Sequence, residues 1–266
     1  MGVAVGGWAN PKKLRHVSKE WDGRLARLFC SAADGRDARP TMSLSQARPD
    51  EKFKLECAGL MLHLINHPLS EHVVTHLRDR TTKPATFRTL SYQISLLLAF
   101  EATRNFATRE AIVETPLEQY TGRVLAEPTV LVPILRAGIS MVQPFADILP
   151  EVTVGYIGLE RDEETAVARS YYSKLPPLDA RRVLILDPML ATGGSAVQAI
   201  QVVVAHGAST KDLSLVSIVA APEGVSAVEA VDSRISIFTA ALDRELNARK
   251  YILPGLGDFG DRLYGT

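Results

Sequence analysis

Five near-continuous apolar segments restrict the fold of this chain more than any other feature. They are TVLVPIL (129–135), VTVGYIGL (152–159), RVLILD (182–187), LSLVSIVAA (213–221) and ISIFTAAL (235–242). A strand with one face in solvent alternates apolar and polar residues, whereas a strand covered on both faces is apolar throughout. The five segments therefore predict a mostly parallel sheet that is buried on both sides.

Helical patterns surround these strands. Apolar residues recur at helical spacing in residues 90–98, 197–204 and 225–231, the second pattern stopping at Gly207 and the third beginning at Pro222. Strands that alternate with helices are typical of α/β folds. We expect a mostly parallel central sheet flanked by helices, in which the turns that follow the strands meet at one edge.

Two segments depart from this alternation. Residues 1–55 are rich in small, charged and turn-forming residues, which predicts a flexible N-terminal extension before a domain at 56–266. Residues 159–181 are too polar for a core and too long for an ordinary connection in such a fold, which predicts a protruding arm or hairpin.

Composition excludes several classes of function. Thirty basic and thirty acidic residues cancel, so the net charge favours neither nucleic acid nor an anionic membrane as the main partner. No run approaches the roughly 20 apolar residues of a membrane span. Cys30 and Cys57 are too few for a disulfide framework or a zinc site, which fits a reducing compartment and a cytoplasmic protein.

The segment DPMLATGGS (187–195) is the clearest candidate for a ligand site. Its Thr192-Gly193-Gly194 turn allows backbone amides to point at a ligand, and Ser195 adds a hydroxyl at a predicted helix start. Asp187, at the end of a strand, could accept hydrogen bonds from a sugar hydroxyl or a metal-bound water. The alternative is a tight turn and helix cap without a ligand, but the combination favours a phosphate ester.

Two arginines are candidates for binding a diphosphate. Arg136 follows a buried strand, and Ala137-Gly138 beside it would let the backbone approach a ligand closely. Arg161 lies in LERDEET, where the neighbouring acids could equally form a solvated charge cluster. For both arginines, a surface ion pair is the alternative interpretation.

The C-terminal segment YILPGLGDFGDRLYGT has the composition of a structured segment. Gly255, Gly257 and Gly260 predict tight turns whose backbone groups could bind the edge of a flat polar ring, with Phe259 or Tyr251 supplying apolar surface. A packed strap without a ligand is the alternative.

The histidines do not predict a metal site. His63, His67, His72 and His76 form two pairs at i, i+4 spacing, which on a helix could bind a metal. Pro68 interrupts a continuous helix, so histidines around a helix start are the better interpretation. The sequence also lacks the motifs of nucleophilic and hydride-transfer enzymes.

Taken together, the motifs resemble a known family. VPILRAG, GLERDEET, YYSKLP, DPMLATGGSA, VAAPEGV, TAALD and YILPGLGDFGDRLYGT, in this order, resemble the uracil phosphoribosyltransferases, which are type I phosphoribosyltransferases. The similarity extends from Asn66 to Thr266. It implies transfer of a phosphoribosyl group from 5-phosphoribosyl 1-diphosphate (PRPP) to N1 of uracil, giving UMP and diphosphate in pyrimidine salvage.

The resemblance also implies roles for individual residues. Those assigned to PRPP are Arg136, Arg161, Asp187, Pro188, Met189, Leu190, Ala191, Thr192, Gly193, Gly194, Ser195 and Asp258. Those assigned to uracil are Ile252, Gly257, Asp258 and Phe259. Residues 192–195 would hold the 5-phosphate, Asp187 the ribose hydroxyls, and the two arginines the diphosphate. Mg²⁺ would accompany the diphosphate without a direct protein ligand, and Asp258 is a candidate acceptor for the N1 proton.

Pro188 and Phe259 are the notable positions within these motifs. Most type I phosphoribosyltransferases carry two adjacent acids in the loop, whereas Pro188 here follows a single acid, so Asp258 becomes the candidate second carboxylate. Phe259 replaces an alanine of many bacterial relatives, and we expect it to narrow the base pocket.

Two other functions stay open at this stage. The chain could be a catalytically silent relative that binds PRPP or UMP as a sensor, or an enzyme for another base. The resemblance further implies a homodimer or homotetramer and, as a family property, activation by GTP.

Overall fold

Nine strands form the central sheet of the computed structural model, which describes residues 62–161 and 168–266. In chain order the described strands are β1 (Leu62–Leu64), β2 (Thr108–Glu114), β3 (Gln119–Leu125), β4 (Thr129–Leu135), β5 (Thr153–Val154), β6 (Tyr156–Arg161), β7 (Ala168–Lys174), β8 (Arg182–Leu186), β9 (Met189–Leu190), β10 (Leu213–Ala220), β11 (Ser236–Leu242), β12 (Glu245–Leu246) and β13 (Ile252–Leu253). The described α-helices are α1 (Pro68–Arg78), α2 (Pro84–Thr103), α3 (Ile139–Ile148), α4 (Gly194–Ala205), α5 (Pro222–Glu229) and α6 (Phe259–Tyr264).

The sheet is mostly parallel, as the sequence predicts. Its order is β1-β11-β10-β8-β4-β6-β7, with β5 paired to β4 and β9 paired to β10. Every pair in it is parallel except β6 with β7. All five apolar segments contain strands of this sheet, although VTVGYIGL is divided at Gly155 into β5 and β6.

Both faces of the sheet are covered by helices. Along β4 and β8 the side chains alternate between two apolar clusters, so that Leu131 and Leu184 lie in one cluster and Val130 and Val183 in the other. Helices α1, α2, α3 and α6 contribute to the first cluster, and α4 and α5 to the second. This two-sided burial explains why the central strands β4, β8, β10 and β11 are mostly apolar, with a few Ser and Thr residues and one Arg as their polar residues.

The predicted helices are present, with one difference at an end. Residues 90–98 lie in α2 and residues 197–204 in α4, which ends before Gly207. The third pattern runs too far, because α5 ends at Glu229 and Val231 lies beyond it with 39% of its surface exposed. A single apolar residue after a helix end continues the periodicity without continuing the helix.

The histidines near the first helix have structural partners. The ring Nδ1 of His67 accepts a hydrogen bond from the amide of Leu69 at 3.1 Å and caps α1, whose first residue is Pro68. His63 stacks on Phe238 with ring centroids 4.5 Å apart. Among the described residues, no group of three or more His, Cys, Asp or Glu could hold a metal ion.

Antiparallel hairpins are formed by β6 with β7 at one edge of the sheet and by β2 with β3 apart from it, besides the short pair β12–β13. The first, β6 with β7, lies where the sequence predicts an arm, although residues 162–167 are outside the description. The second, β2 with β3, is not among the elements predicted from the sequence. Its side chains are mostly exposed, including Ile112 at 73% and Leu117 at 95%.

Two further sequence-based expectations concern the N-terminal extension and membrane spans. The proposed extension at 1–55 and its boundary with a domain at 56 lie outside the described residues. Within the described ranges, none of the helices combines the length and the hydropathy that a bilayer span requires.

The turn after β4 packs closely against the last residue of β8, and this contact gives a test of packing. A Cβ atom at Gly138 would lie 2.3 Å from the carbonyl oxygen of Leu186 and 2.7 Å from that of Ile134, and backbone atoms cannot move aside cheaply. We expect Gly138→Ala to lower the free energy of unfolding by about 2–4 kcal/mol, measured by urea denaturation.

Gly194→Ala is the matched control for this substitution. The nearest atom to its added Cβ is 3.7 Å away, so the free energy of unfolding should stay within about 0.5 kcal/mol of the parent. Equal effects of the two substitutions would contradict the packing argument.

Candidate active site

The candidate site lies at the carboxyl edge of the central sheet. Arg136 follows β4, Asp187 follows β8, Ala221 follows β10 and Asp243 follows β11. These four strands are parallel and adjacent in the order β11-β10-β8-β4, so the residues that follow them share one edge. Ligands of open parallel sheets bind at such an edge.

The loop after β8 is held rigidly against β10. The carbonyl of Pro188 accepts hydrogen bonds from the amides of Ile218 and Val219, each at 3.1 Å, and β9 then pairs in parallel with β10. Pro188 has no amide to donate, and its ring fixes φ. The loop therefore begins from a fixed position next to the sheet.

A left-handed glycine turns this loop into α4. Gly193 has φ +80°, and a Cβ atom there would lie 2.6 Å from the Cβ of Ala227 on α5. Only glycine fits this conformation without strain. The residue also accepts the first hydrogen bond of the helix, from the amide of Val197 at 2.8 Å.

The amides at the start of α4 suit an anion. The N–H groups of Gly194, Ser195 and Ala196 precede the first intrahelical hydrogen bond, so the helix supplies no acceptor for them. Thr192 is half-buried, and its hydroxyl accepts a long hydrogen bond of 3.4 Å from the amide of Gly194. A phosphate at this position would accept hydrogen bonds from these amides, and the positive end of the helix dipole would stabilise its charge.

Asp187 combines burial with a hydrogen-bonding role. Its side chain is partly enclosed, and burial raises the pKa of the carboxyl group to about 6, although the amide of Met189, 3.4 Å from Oδ1, acts in the opposite direction. Above that pH the carboxylate is ionised and can accept hydrogen bonds from sugar hydroxyls.

Arg136 lies exposed on the neighbouring turn. The turn is closed by hydrogen bonds from the amide of Gly138 to the carbonyl of Ile134 at 2.9 Å and from the amide of Ile139 to that of Arg136 at 3.2 Å. The peptide bond between Leu135 and Arg136 is cis. No described carboxylate pairs with the guanidinium, so the surface ion pair considered from sequence is not observed in that part of the chain.

Arg161 is the last residue of β6, which pairs with β4 on the side opposite β8. Its backbone therefore lies beyond the carboxyl end of β4. Its side chain is outside the description.

The C-terminal segment folds into tight turns at two of the three predicted glycines, whereas Gly260 lies within helix α6. Gly255 and Gly257 both have positive φ, +61° and +83°, and a Cβ atom at Gly255 would lie 2.2 Å from the carbonyl oxygen of Ile252. The short antiparallel pair β12–β13 precedes these turns. The polar groups of this backbone are thus held in a fixed arrangement.

Asp258 begins the last helix. Its Oδ1 accepts a hydrogen bond from the amide of Asp261 at 3.0 Å and so caps α6, while its side chain remains exposed. The residue therefore has a structural role that sequence reasoning did not assign. One carboxylate oxygen is left for a ligand.

The expectation for the Phe259 side chain is wrong. The ring is 2% exposed and packs edge to face against Phe87 with centroids 5.2 Å apart, in the core beneath α2. It therefore cannot narrow an open pocket. Ile252 is also buried, at 4%, so both residues offer a ligand their backbone groups.

Arginines that the sequence reasoning missed anchor the C-terminal segment. Arg262 donates to the carbonyl oxygens of Leu256 at 2.7 Å and Asp79 at 2.6 Å, and also to that of Leu77. Its guanidinium lies 4.5 Å above the ring of Phe87. A sequence offers no signal for such contacts, because two of the three carbonyl acceptors are more than 180 residues away along the chain.

A second anchor is formed by Arg78 and Asp243. Arg78 makes two hydrogen bonds to the carboxylate of Asp243, at 2.5 and 2.8 Å, and donates to the carbonyl of Gly255 at 2.8 Å. One signal could have identified Asp243. Like Asp187, it directly follows an apolar strand of the sheet.

Main-chain hydrogen bonds connect the loop after β8 to this segment. The amide of Ala221 donates to the carbonyl of Leu190 at 2.9 Å, and the amide of Asp243 donates to that of Ala220 at 2.8 Å. The amide of Gly255 then donates to the carboxylate of Asp243 at 2.8 Å. The turn at the start of α4 and the C-terminal turns are therefore connected by hydrogen bonds.

Comparisons with known proteins agree with this arrangement. The family profile described as "Uracil phosphoribosyltransferase" matches residues 64–266. The uracil phosphoribosyltransferase of Dictyoglomus thermophilum is 49% identical over 208 residues, which cover 77% of this chain and all of that protein. That of Roseiflexus castenholzii is 48% identical over 201 residues, covering 75% of this chain and 96% of that protein.

A solved structure has the same fold. The AQ2163 protein from Aquifex aeolicus superimposes with a TM-score of 0.74 and 37% sequence identity, over 77% of this chain and 98% of that one. With the profile match and the two relatives, this similarity shows that the chain belongs to the uracil phosphoribosyltransferase family.

Proposed function

We propose that this edge of the sheet transfers the phosphoribosyl group of PRPP to N1 of uracil, giving UMP and diphosphate. The observation that carries the proposal is the connected structure formed by the turn at the start of α4 and the C-terminal turns. One part suits a sugar phosphate and the other a flat polar ring. Family membership supports the same reaction, since the relatives cited above are named for it.

The donor would be bound by groups with different chemistry. The amides at the start of α4 and the hydroxyls of Thr192 and Ser195 suit the 5-phosphate, and the ionised Asp187 suits the ribose hydroxyls. Arg136 and Arg161 supply positive charge for the diphosphate, whose departure builds negative charge on the leaving group. The proposal retains the remaining loop residues Pro188, Met189, Leu190, Ala191, Gly193 and Gly194 as the backbone that contacts PRPP.

The base would be recognised by main-chain groups. Uracil presents one N–H donor between two carbonyl acceptors on its edge, which backbone carbonyls and amides can match. Ile252, Gly257 and Phe259 would supply these groups, because the tight turns hold them in place, the side chains of Ile252 and Phe259 are buried, and glycine has no side chain. Asp258 is the candidate acceptor for the N1 proton.

The donor set fits Mg²⁺ bound mainly through the substrate. The described residues offer no cluster of three acidic or histidine side chains, and Mg²⁺ favours diphosphate oxygens and water with one or two carboxylates. Asp258 and Asp187 would contact its water ligands. The ion would neutralise charge on the diphosphate.

Three further expectations belong to the proposal: a cytoplasmic location, a homodimer or homotetramer, and activation by GTP. The exposed apolar side chains of the β2–β3 hairpin support assembly with another subunit. GTP activation rests on the family resemblance alone. A catalytically silent relative is not supported by the comparisons, and the family match disfavours an enzyme for another base.

The activity and the role of Asp258 can be tested together. Purified protein should form radiolabelled UMP from labelled uracil, PRPP and Mg²⁺, and Asp258→Asn should lower kcat by about 10²–10⁴-fold. Asparagine caps helices as well as aspartate does, so this change removes the charge and retains α6.

Asp261→Asn is the matched control, because it removes a charge three residues later in the same helix. Absence of UMP with tight binding of PRPP would favour a silent relative instead. If Asp258→Asn kept kcat within twofold, Asp258 would have no part in the chemistry.

Arg136 should act on the donor. We expect Arg136→Ala to raise the KM for PRPP by about 10²-fold or more and to change the KM for uracil far less, since the guanidinium would bind the diphosphate in a bidentate manner. Initial rates with each substrate varied in turn measure both constants. Arg104→Ala removes another exposed arginine, paired with Glu101 on α2, as a control. Equal effects on both substrates would contradict the assignment.

The raised pKa of Asp187 predicts a dependence on pH. The kcat/KM for PRPP should fall as pH decreases through about 6, because protonation removes the acceptor for the ribose hydroxyls. Asp187→Asn should abolish this limb of the profile along with most of the activity.

The pH dependence of stability has the opposite sign to the pH dependence of activity. The unfolded chain ionises Asp187 near the ordinary value of 3.8, so the free protein should lose stability as pH rises from about 4 to about 6. Asp187→Asn should flatten that part of the stability curve. An unchanged slope would show that Asp187 is not buried as described.

A further inference from the structure

We propose that the ion pair between Arg78 and Asp243 is a positioning device. It fixes the backbone that would bind uracil (residues 252–259, the base-reading backbone) relative to the loop that would bind PRPP (residues 187–195, the donor loop). This role rests on the proposed function, because it concerns the segment that would bind uracil. Neither residue belongs to the set that the sequence motifs assign to the substrates.

The pair is well ordered and largely enclosed. Nη2 of Arg78 lies 2.5 Å from Oδ1 of Asp243, and Nη1 lies 2.8 Å from Oδ2. The carboxylate is 3% exposed and the arginine side chain 25%. A bidentate arginine–carboxylate pair fixes orientation as well as distance.

Both partners bind the same residue of the C-terminal segment. The amide of Gly255 donates to Oδ2 of Asp243 at 2.8 Å, and the carbonyl of Gly255 accepts from Nη1 of Arg78 at 2.8 Å. The ion pair thus satisfies both polar backbone groups of Gly255. This glycine lies between Ile252 and Gly257, two residues of the proposed uracil-binding backbone.

Asp243 also connects this segment to the sheet. Its amide donates to the carbonyl of Ala220 at 2.8 Å. The amide of Ala221, which follows Ala220, donates to the carbonyl of Leu190 in the donor loop at 2.9 Å. The position of the base relative to the ribose therefore depends on Asp243. A rate that needs two substrates in line is sensitive to displacements of about 1 Å.

Net stabilisation alone does not account for the pair. Enclosed ion pairs are often no more stabilising than apolar side chains of similar size, because desolvation of the charges offsets their attraction. An apolar pair could not bind both the N–H and the C=O of Gly255. The charged pair therefore supplies geometry that an apolar contact would not.

The test compares Asp243→Asn with the parent protein. We expect the KM for uracil to rise roughly tenfold or more while the KM for PRPP stays within about twofold, because only the base-reading turns lose their anchor. The thermal unfolding midpoint is measured on the same preparations. Arg78→Lys retains the charge without the bidentate geometry, should give a smaller rise for uracil, and replaces Asp243→Asn if that variant does not fold.

Two controls separate positioning from general stability. Asp232→Asn removes a carboxylate that also pairs with an arginine, Arg234, but precedes the amino end of β11 rather than following its carboxyl end. It should leave both KM values unchanged. Leu98→Ala destabilises the core through a fully buried side chain and should lower the unfolding midpoint without a selective rise for uracil.

The outcomes are distinct. A selective rise in the KM for uracil supports the positioning role. Equal rises for both substrates, or no change in either, would overturn it while leaving the proposed function intact. A parent protein that forms no UMP would overturn the proposed function, and this role with it.

Discussion

The parallel alignment of β4, β8, β10 and β11 is the constraint on which the rest of the structure depends. Because the strands run in one direction, the four segments that follow them emerge at the same edge. Arg136, Asp187 and Asp243 each follow one of these strands, so residues separated by more than a hundred positions come together without special connections. Burial of the sheet on both faces makes this edge rigid, since the strands cannot shift without exposing apolar side chains.

Much of this architecture follows from local physics in the sequence. Strands buried on both faces are mostly apolar, and the helices between them show their periodicity, so the fold class could be predicted from the five apolar segments and the tight turn after β8 from Gly193. The β2–β3 hairpin could not be predicted in this way, because its side chains are mostly exposed and leave no buried pattern. The anchors Arg78 and Arg262 were missed because most of their acceptors lie more than 160 residues away in the chain.

The structure gives a physical reason for the proline at position 188, in the loop after β8. Position 188 contributes its carbonyl to two amides of β10, while its nitrogen needs no acceptor. A residue that only accepts hydrogen bonds therefore suits this position. The single acid of the loop and the capping role of Asp258 together show that the carboxylates near the proposed ligands also support the fold.

The burial of Ile252 and Phe259 has a consequence for how this protein can change over time. If the base is recognised through the main chain, exchanging these side chains alters the core and leaves the pattern of donors and acceptors in place. A new preference for a different base would then require a change in the path of the backbone. Such a change involves several residues at once, including the glycines with positive φ, so recognition is protected from single substitutions while the packing beneath it remains free to vary.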